Sequence, residues 1–147
     1  MLFRSLETVK ALPSTVKAAA FVGPDALATS TIDSAGYGCT STACKSAVDT
    51  LHSVAMHFTK TSATANVVVL ASGGKKGTCA GDSGGPDYVV SSSGAVKVFG
   101  LVMTGPTLCE AGISVDTLVE PYLDWITSTA QTMGNGVSTS TYKLTQY

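Results

Sequence analysis

The chain has 147 residues, of which 44% are hydrophobic and 13% charged, and nine basic side chains against ten acidic ones leave a net charge of −1. The charged share is about half that of an average soluble protein, while Ser and Thr together number 37 and Gly 15, which excludes a charged helical bundle and a basic nucleic-acid binder. A mean hydropathy of +0.28 with almost no net charge is the reverse of the composition that keeps chains disordered, so there is apolar material for one modest core.

Residues 1–24 carry no long periodic pattern, and Pro13 and Gly23-Pro24 punctuate them, so they read as an extended lead-in and linker. Short β-prone segments separated by turn residues follow: Ser30–Tyr37, Val48–Phe58, Ala65–Leu70, Asp87–Ser92, Ala95–Thr104 and Ile113–Val115. Six such strands predict a small barrel or sandwich. Over Asp116–Ala130 the apolar residues Leu118, Val119, Tyr122, Leu123, Trp125 and Ile126 recur at mostly helical spacing, which predicts a C-terminal helix capped by Asp116 with Pro121 in its first turn. Residues 131–147 return to Gly, Ser, Thr and Asn and read as a mobile tail. The longest apolar runs, Ala18–Val22 and Val67–Ala71, are each about a strand long, short of the ~18 residues a membrane span needs.

Cys39, Cys44, Cys79 and Cys109 lack the paired spacing of a zinc site, and no other metal cluster or cofactor motif is evident, so neither metal nor cofactor is expected. Disulfides and an oxidising compartment are the favoured reading of the cysteines, reduced buried thiols the other, and four cysteines allow three connectivities. No charged leader with an apolar stretch opens the chain at Met1-Leu2-Phe3-Arg4, so no signal peptide is visible. Gly73-Gly74-Lys75-Lys76-Gly77 lacks phosphate-loop spacing and reads as a solvated turn.

The stretch that carries chemistry is Gly77-Thr78-Cys79-Ala80-Gly81-Asp82-Ser83-Gly84-Gly85-Pro86. Gly, Asp, Ser and Pro alone would make an ordinary tight loop. Six residues in the order Gly-Asp-Ser-Gly-Gly-Pro, however, resemble the nucleophile segment of the chymotrypsin-like (trypsin-type) serine proteases. Flanking features agree with the resemblance over residues 30–130. Gly36-Tyr37-Gly38 resembles the corner that opens the family's second barrel, Phe99–Gly105 its substrate-pairing strand, Gly112–Val115 its last strand and Pro121–Ile126 its terminal helix.

The resemblance implies an all-β fold, the six-stranded antiparallel Greek-key second barrel of the trypsin-like fold with a C-terminal α-helix, over residues 25–130. It implies a serine endopeptidase in which Ser83 is the nucleophile, the backbone N–H groups of Gly81 and Ser83 form the oxyanion hole, and Asp82 is a loop-supporting carboxylate. Gly77, Thr78, Gly105 and Gly112 would shape an open, uncharged specificity pocket that favours a large apolar or aromatic side chain. Met103, Thr104 and Gly105 would pair with substrate backbone, although the family usually has a serine and an aromatic residue at the first two positions. The resemblance also implies a Cys79–Cys109 disulfide, which leaves Cys39 with Cys44.

A protease of this type runs histidine, aspartate, serine along the chain. Here the upstream histidines are His52 and His57, outside any Ala-Ala-His-Cys segment, and the only aspartate between the nearer one and Ser83 is Asp82. Both histidines read as surface or barrel-facing side chains of a strand. Met1–Leu6 resembles the stretch just after the family's catalytic aspartate, so the expectation is a truncated chain, inactive alone. The histidine, the aspartate, the rest of an N-terminal barrel and a secretion signal would lie upstream of Met1. A polypeptide substrate is the expected partner, with no nucleic acid and no membrane. A catalytically dead, peptide-binding homologue is the alternative.

Overall fold

The computed structural model describes residues 19–23, 31–44, 48–62 and 64–133. Its elements are β1 (Ala20–Phe21), β2 (Ile32–Gly36), β3 (His52–Ser62), β4 (Val67–Ala71), β5 (Pro86–Val90), β6 (Val96–Thr104), β7 (Ile113–Leu118) and the helix α1 (Leu123–Met133). Apart from residues 19–23, the linker expected over 1–24 lies outside the described residues. So does the expected tail, except that α1 takes in its first three positions.

Strands β2 to β7 form a closed antiparallel barrel. Their order around it is β6-β5-β2-β3-β4-β7, and β7 pairs back onto β6, so no edge is left within the ring. The two-residue β1 adds to β6 in parallel, Ala20 opposite Lys97 and Phe21 opposite Val98. Strands β2, β3 and β4 pair in succession, and β5 then returns to lie beside β2, the spatial order of a Greek key. The connection from β4 to β5 therefore crosses an end of the barrel, and that connection contains residues 72–85.

Period-two alternation explains why these segments are strands. Val68 and Leu70 of β4, Ile32 and Ser34 of β2, and Asp87 and Val89 of β5 are buried while their neighbours are not. The core is Ile32, Met56, Val68, Leu70, Val89, Phe99 and Leu118, with Val22, Val54 and Phe58 packed against it. Bulges at Phe58/Lys60, Asp87/Tyr88 and Val102/Thr104 shift the register, as barrel closure over so few strands requires.

One sequence expectation fails at the C-terminal end. The helix expected from Asp116 begins only at Leu123, and Asp116 is an inward-facing residue of β7, fully buried with Ser114. The strand's alternation at 114, 116 and 118 is real but carried by Ser, Asp and Leu, so hydrophobicity alone does not reveal it. Pro121 sits in a 3-10 turn, Glu120–Tyr122, that leads into α1. Smaller differences concern strand ends: β3 starts at His52 rather than Val48 and runs to Ser62.

Candidate active site

The β4–β5 crossover is held at every stage of its course. At its start, Ser72 N–H donates to the Gly112 carbonyl at 2.8 Å, and the segment lies on the beginning of β7. Gly112 permits this approach: its φ is +66°, and a Cβ there would stand 2.5 Å from the Gly74 carbonyl oxygen. A Cβ on Gly77 would in turn stand 3.0 Å from Gly112 Cα, so the two glycines lie against each other.

Next, a disulfide fastens the middle of the loop. Cys79 is bonded to Cys109 in the 3-10 turn Cys109–Ala111, and Cys39 is bonded to Cys44. The segment between Cys39 and Cys44 also clasps that turn. Thr42 N–H donates to Glu110 Oε1 at 3.0 Å, the Thr42 hydroxyl donates to Glu110 Oε2, and Cys109 N–H donates to Thr42 Oγ1 at 3.0 Å. These bonds from Thr42 hold the Glu110 carboxyl below its ordinary range.

Asp82 then fixes the turn that presents Ser83. Its Oδ1 accepts from Gly38 N–H and its Oδ2 from Cys79 N–H, both at 2.8 Å, so one half-buried carboxylate ties the crossover to itself and to the corner after β2. Gly36 and Gly38 make room for it, since a Cβ on either would overlap the Asp82 carboxylate. Cys39 N–H donates to the Ala80 carbonyl at 2.8 Å, Gly85 N–H to the Asp82 carbonyl at 2.8 Å. Beyond the turn the chain is stitched to β6: Gly84 N–H donates to the Val102 carbonyl at 2.8 Å, and Val102 N–H to the Gly85 carbonyl at 2.9 Å. Gly81 and Gly84 both have positive φ, +96° and +86°, which leaves Ser83 at the apex with an exposed side chain.

Ser83 borders a surface cleft of about 270 Å³, lined also by Thr78, Cys79, Ala80 and the β6 end from Val102 to Gly105, and by Ser41, Thr42 and Cys44. Among the described residues no ionisable side chain borders it. Of the residues expected at the site, Ser83, Thr78, Met103, Thr104 and Gly105 thus share one cleft. Gly77 instead lines an adjoining cleft of about 430 Å³ with His52, Lys75, Lys76, Asp82 and Glu110, and Thr78 borders both. Gly112 is buried beneath residues 72–76. His52 and His57 are exposed on β3, and no hydrogen bond joins either to Ser83.

Sequence reasoning missed a polar network behind the cleft. Thr78 Oγ1 donates to Ser114 Oγ at 2.8 Å, and Ser114 Oγ donates to Asp116 Oδ1 at 2.5 Å, which also accepts Met103 N–H at 3.3 Å. Asp87 lies in the same interior, its Oδ1 accepting from Ser34 Oγ at 2.6 Å. A period-two count from the apolar inward residues Val89 and Leu118 back to 87 and to 116 and 114 is the signal that could have found these residues.

No helix of the described residues is long and apolar enough to cross a membrane. No curated protein matches the chain. The trypsin family model matches residues 7–126, a span that takes in the whole barrel, the Ser83 turn and the first part of α1. With a closed six-stranded barrel whose crossover presents Gly81-Asp82-Ser83-Gly84-Gly85, the chain belongs to the trypsin family, a domain of the chymotrypsin-like serine-protease type.

Proposed function

We propose that this chain is the nucleophile-bearing part of a serine endopeptidase, cleaving peptide bonds through an acyl-enzyme on Ser83. The observation that carries the reading is the Ser83 apex itself. The hydroxyl is exposed at the rim of a cleft, and the N–H groups of Gly81 and Ser83 are not used by any other group among the described residues, on a loop that a carboxylate, a disulfide and β6 all hold still. Preorganised donors of this kind stabilise charge that develops on a carbonyl oxygen. Ser83 Oγ attacks the scissile carbonyl carbon, its proton passes to a base and on to the departing amine, and water then releases the acyl group.

Peptide would lie along the end of β6. Met103 N–H is already given to Asp116, so backbone pairing at Met103 falls to its carbonyl oxygen, and Gly105 adds its own backbone at the same cleft. Among the described residues the cleft beside Ser83 has no charge to meet a charged side chain, which favours an apolar residue before the scissile bond. Disulfides at Cys39–Cys44 and Cys79–Cys109 favour an oxidising, extracellular setting.

The base comes from outside this chain. Its two histidines, His52 and His57, stand exposed on β3 and make no hydrogen bond to Ser83. Loss of the base costs on the order of a million-fold in turnover, so the chain alone is inactive and its natural partner is an N-terminal barrel that supplies histidine and aspartate. Peptide binding without hydrolysis is the second reading, favoured by the same position of the histidines. A fluorogenic peptide assay on the purified chain, with Ser83→Ala as control, tests the first claim: serine-dependent turnover at the level of a whole protease would overturn the external base. The DNA upstream of the Met1 codon tests the other. An open frame encoding an Ala-Ala-His-Cys segment supports the protease, and its absence supports the binding module.

A further inference from the structure

The barrel interior holds two carboxylates that the Ser83 chemistry does not use. Asp87 on β5 and Asp116 on β7 are both fully buried, and each strand pairs with β6, Asp87 opposite Gly100 and Asp116 opposite Val102. They therefore flank β6 at neighbouring inward positions. Gly100 leaves the space between them open, since a Cβ there would stand 3.0 Å from Asp87 Oδ2. One oxygen of each is satisfied, Asp87 Oδ1 by Ser34 and Asp116 Oδ1 by Ser114 and Met103. The other two, Asp87 Oδ2 and Asp116 Oδ2, are the buried side-chain polar atoms without a partner among the described residues, and the two carboxylates lie near enough for the charge of Asp116 to act on Asp87.

An ionised carboxylate only accepts, so two of them facing each other in a dry interior repel and leave both oxygens orphaned. One proton turns the first into a donor and satisfies both at once. We infer that Asp87 and Asp116 share a single proton and together act as positioning residues for the Ser83 cleft. Asp87 donates to Asp116, and Asp116 holds the cleft wall from inside through Met103 N–H and, by way of Ser114, Thr78. The proposal rests on the cleft being the peptide site.

The surroundings leave the pair to set its own charge. From β2 it is faced by Ser34, from β4 by Val68 opposite Asp116, and from β6 by Gly100 and Val102. Other titratable groups on the packed strands are Asp33 on β2 and Tyr88 on β5, half-buried and opposite each other, and Lys97 on β6 opposite Val89. On β3 they are His52, His57 and Lys60, all exposed. Asp116 is the charged group that acts on Asp87. Burial first, and the negative field of Asp116 second, push Asp87 up to about 8, and burial likewise raises Asp116. Once the shared proton leaves, the two charges repel, Asp116 is drawn off Met103 N–H, and the β6 end loosens. For the assembled protease this appears as a rise in KM at alkaline pH before any fall in kcat.

The test is a pH titration of this chain by carboxyl 13C and amide 1H–15N NMR, alongside Asp87→Asn and Asp116→Asn. The expected result is a buried aspartate carboxyl transition near pH 8 that the Met103 amide follows with the same midpoint. In Asp87→Asn, whose side-chain amide donates to Asp116 without titrating, the Met103 amide should hold its position through that range. A Met103 amide that stays still while the carboxyl titrates overturns the positioning role, and two aspartates titrating in the ordinary carboxylate range overturn the shared proton. Should the variants not fold, the wild-type titration decides alone. None of these readouts involves Ser83, so they stand apart from the peptide assay that tests the protease reading.

Discussion

Replacing Asp87 by Asn should change how stability depends on pH. In the folded chain Asp87 is raised from 3.8 to about 8, by burial first and by Asp116 second. The folded state thus keeps a proton that the unfolded chain releases, and over that interval the folded state binds more protons than the unfolded one. Stability from this group is complete below about pH 4, falls as pH rises, and is lost by about pH 8. A shift of this size is worth on the order of 5 kcal/mol, comparable with the whole stability of a small domain. Asn is neutral in both states and donates to Asp116 as the protonated acid does, so it removes the slope. Asp87→Asn should match the wild type to within about 1 kcal/mol near pH 4 and exceed it by several kcal/mol at pH 8. Urea unfolding at a series of pH values, disulfides intact, measures this through the midpoint at constant m. A difference that does not vary with pH, or wild-type stability that climbs between pH 5 and 8, would refute the reasoning.

Three further outcomes follow from the loop that presents Ser83. The Cys79–Cys109 bond joins residues 30 apart, so Cys79→Ser with Cys109→Ser should lower stability by about 3–4 kcal/mol, read from denaturant midpoints of the oxidised wild type and the variant. A Cβ at Gly38 would stand 2.5 Å from Asp82 Cγ and 2.7 Å from Asp82 N, so Gly38→Ala should cost about 1–3 kcal/mol and speed amide exchange at Cys79, which loses its carboxylate acceptor. Gly84→Ala, with open space at its Cβ but φ at +86°, should cost only the ~1 kcal/mol of a left-handed backbone and leave Cys79 exchange unchanged.

Most of the barrel was legible because its strands alternate in a way that hydrophobicity reports. Val68 and Leu70 in β4 and Ile32 in β2 mark inward positions directly, and the turn residues around them mark the strand ends. Where inward positions are polar the signal disappears, and the segment from Asp116 then reads as the start of a helix. The same blindness hid Asp87, which follows Pro86 in a motif where the eye stops at Ser83.

By itself the sequence determined the local chemistry of the Ser83 turn. Gly-Asp-Ser-Gly-Gly-Pro brings left-handed backbone, a short carboxylate and an exposed hydroxyl within six residues, and those properties belong to residue types and their order. Tertiary structure decided what that turn is attached to. Gly38 and Asp82 lie 44 residues apart, and only barrel closure puts the N–H of one on the carboxylate of the other. Likewise Asp87 and Asp116 are ordinary surface-type residues in the sequence, and it is the pairing of β5 and β7 on either side of β6 that places both in the dry interior. Desolvation and the repulsion between them arise only there, because both depend on distances that the chain acquires on folding.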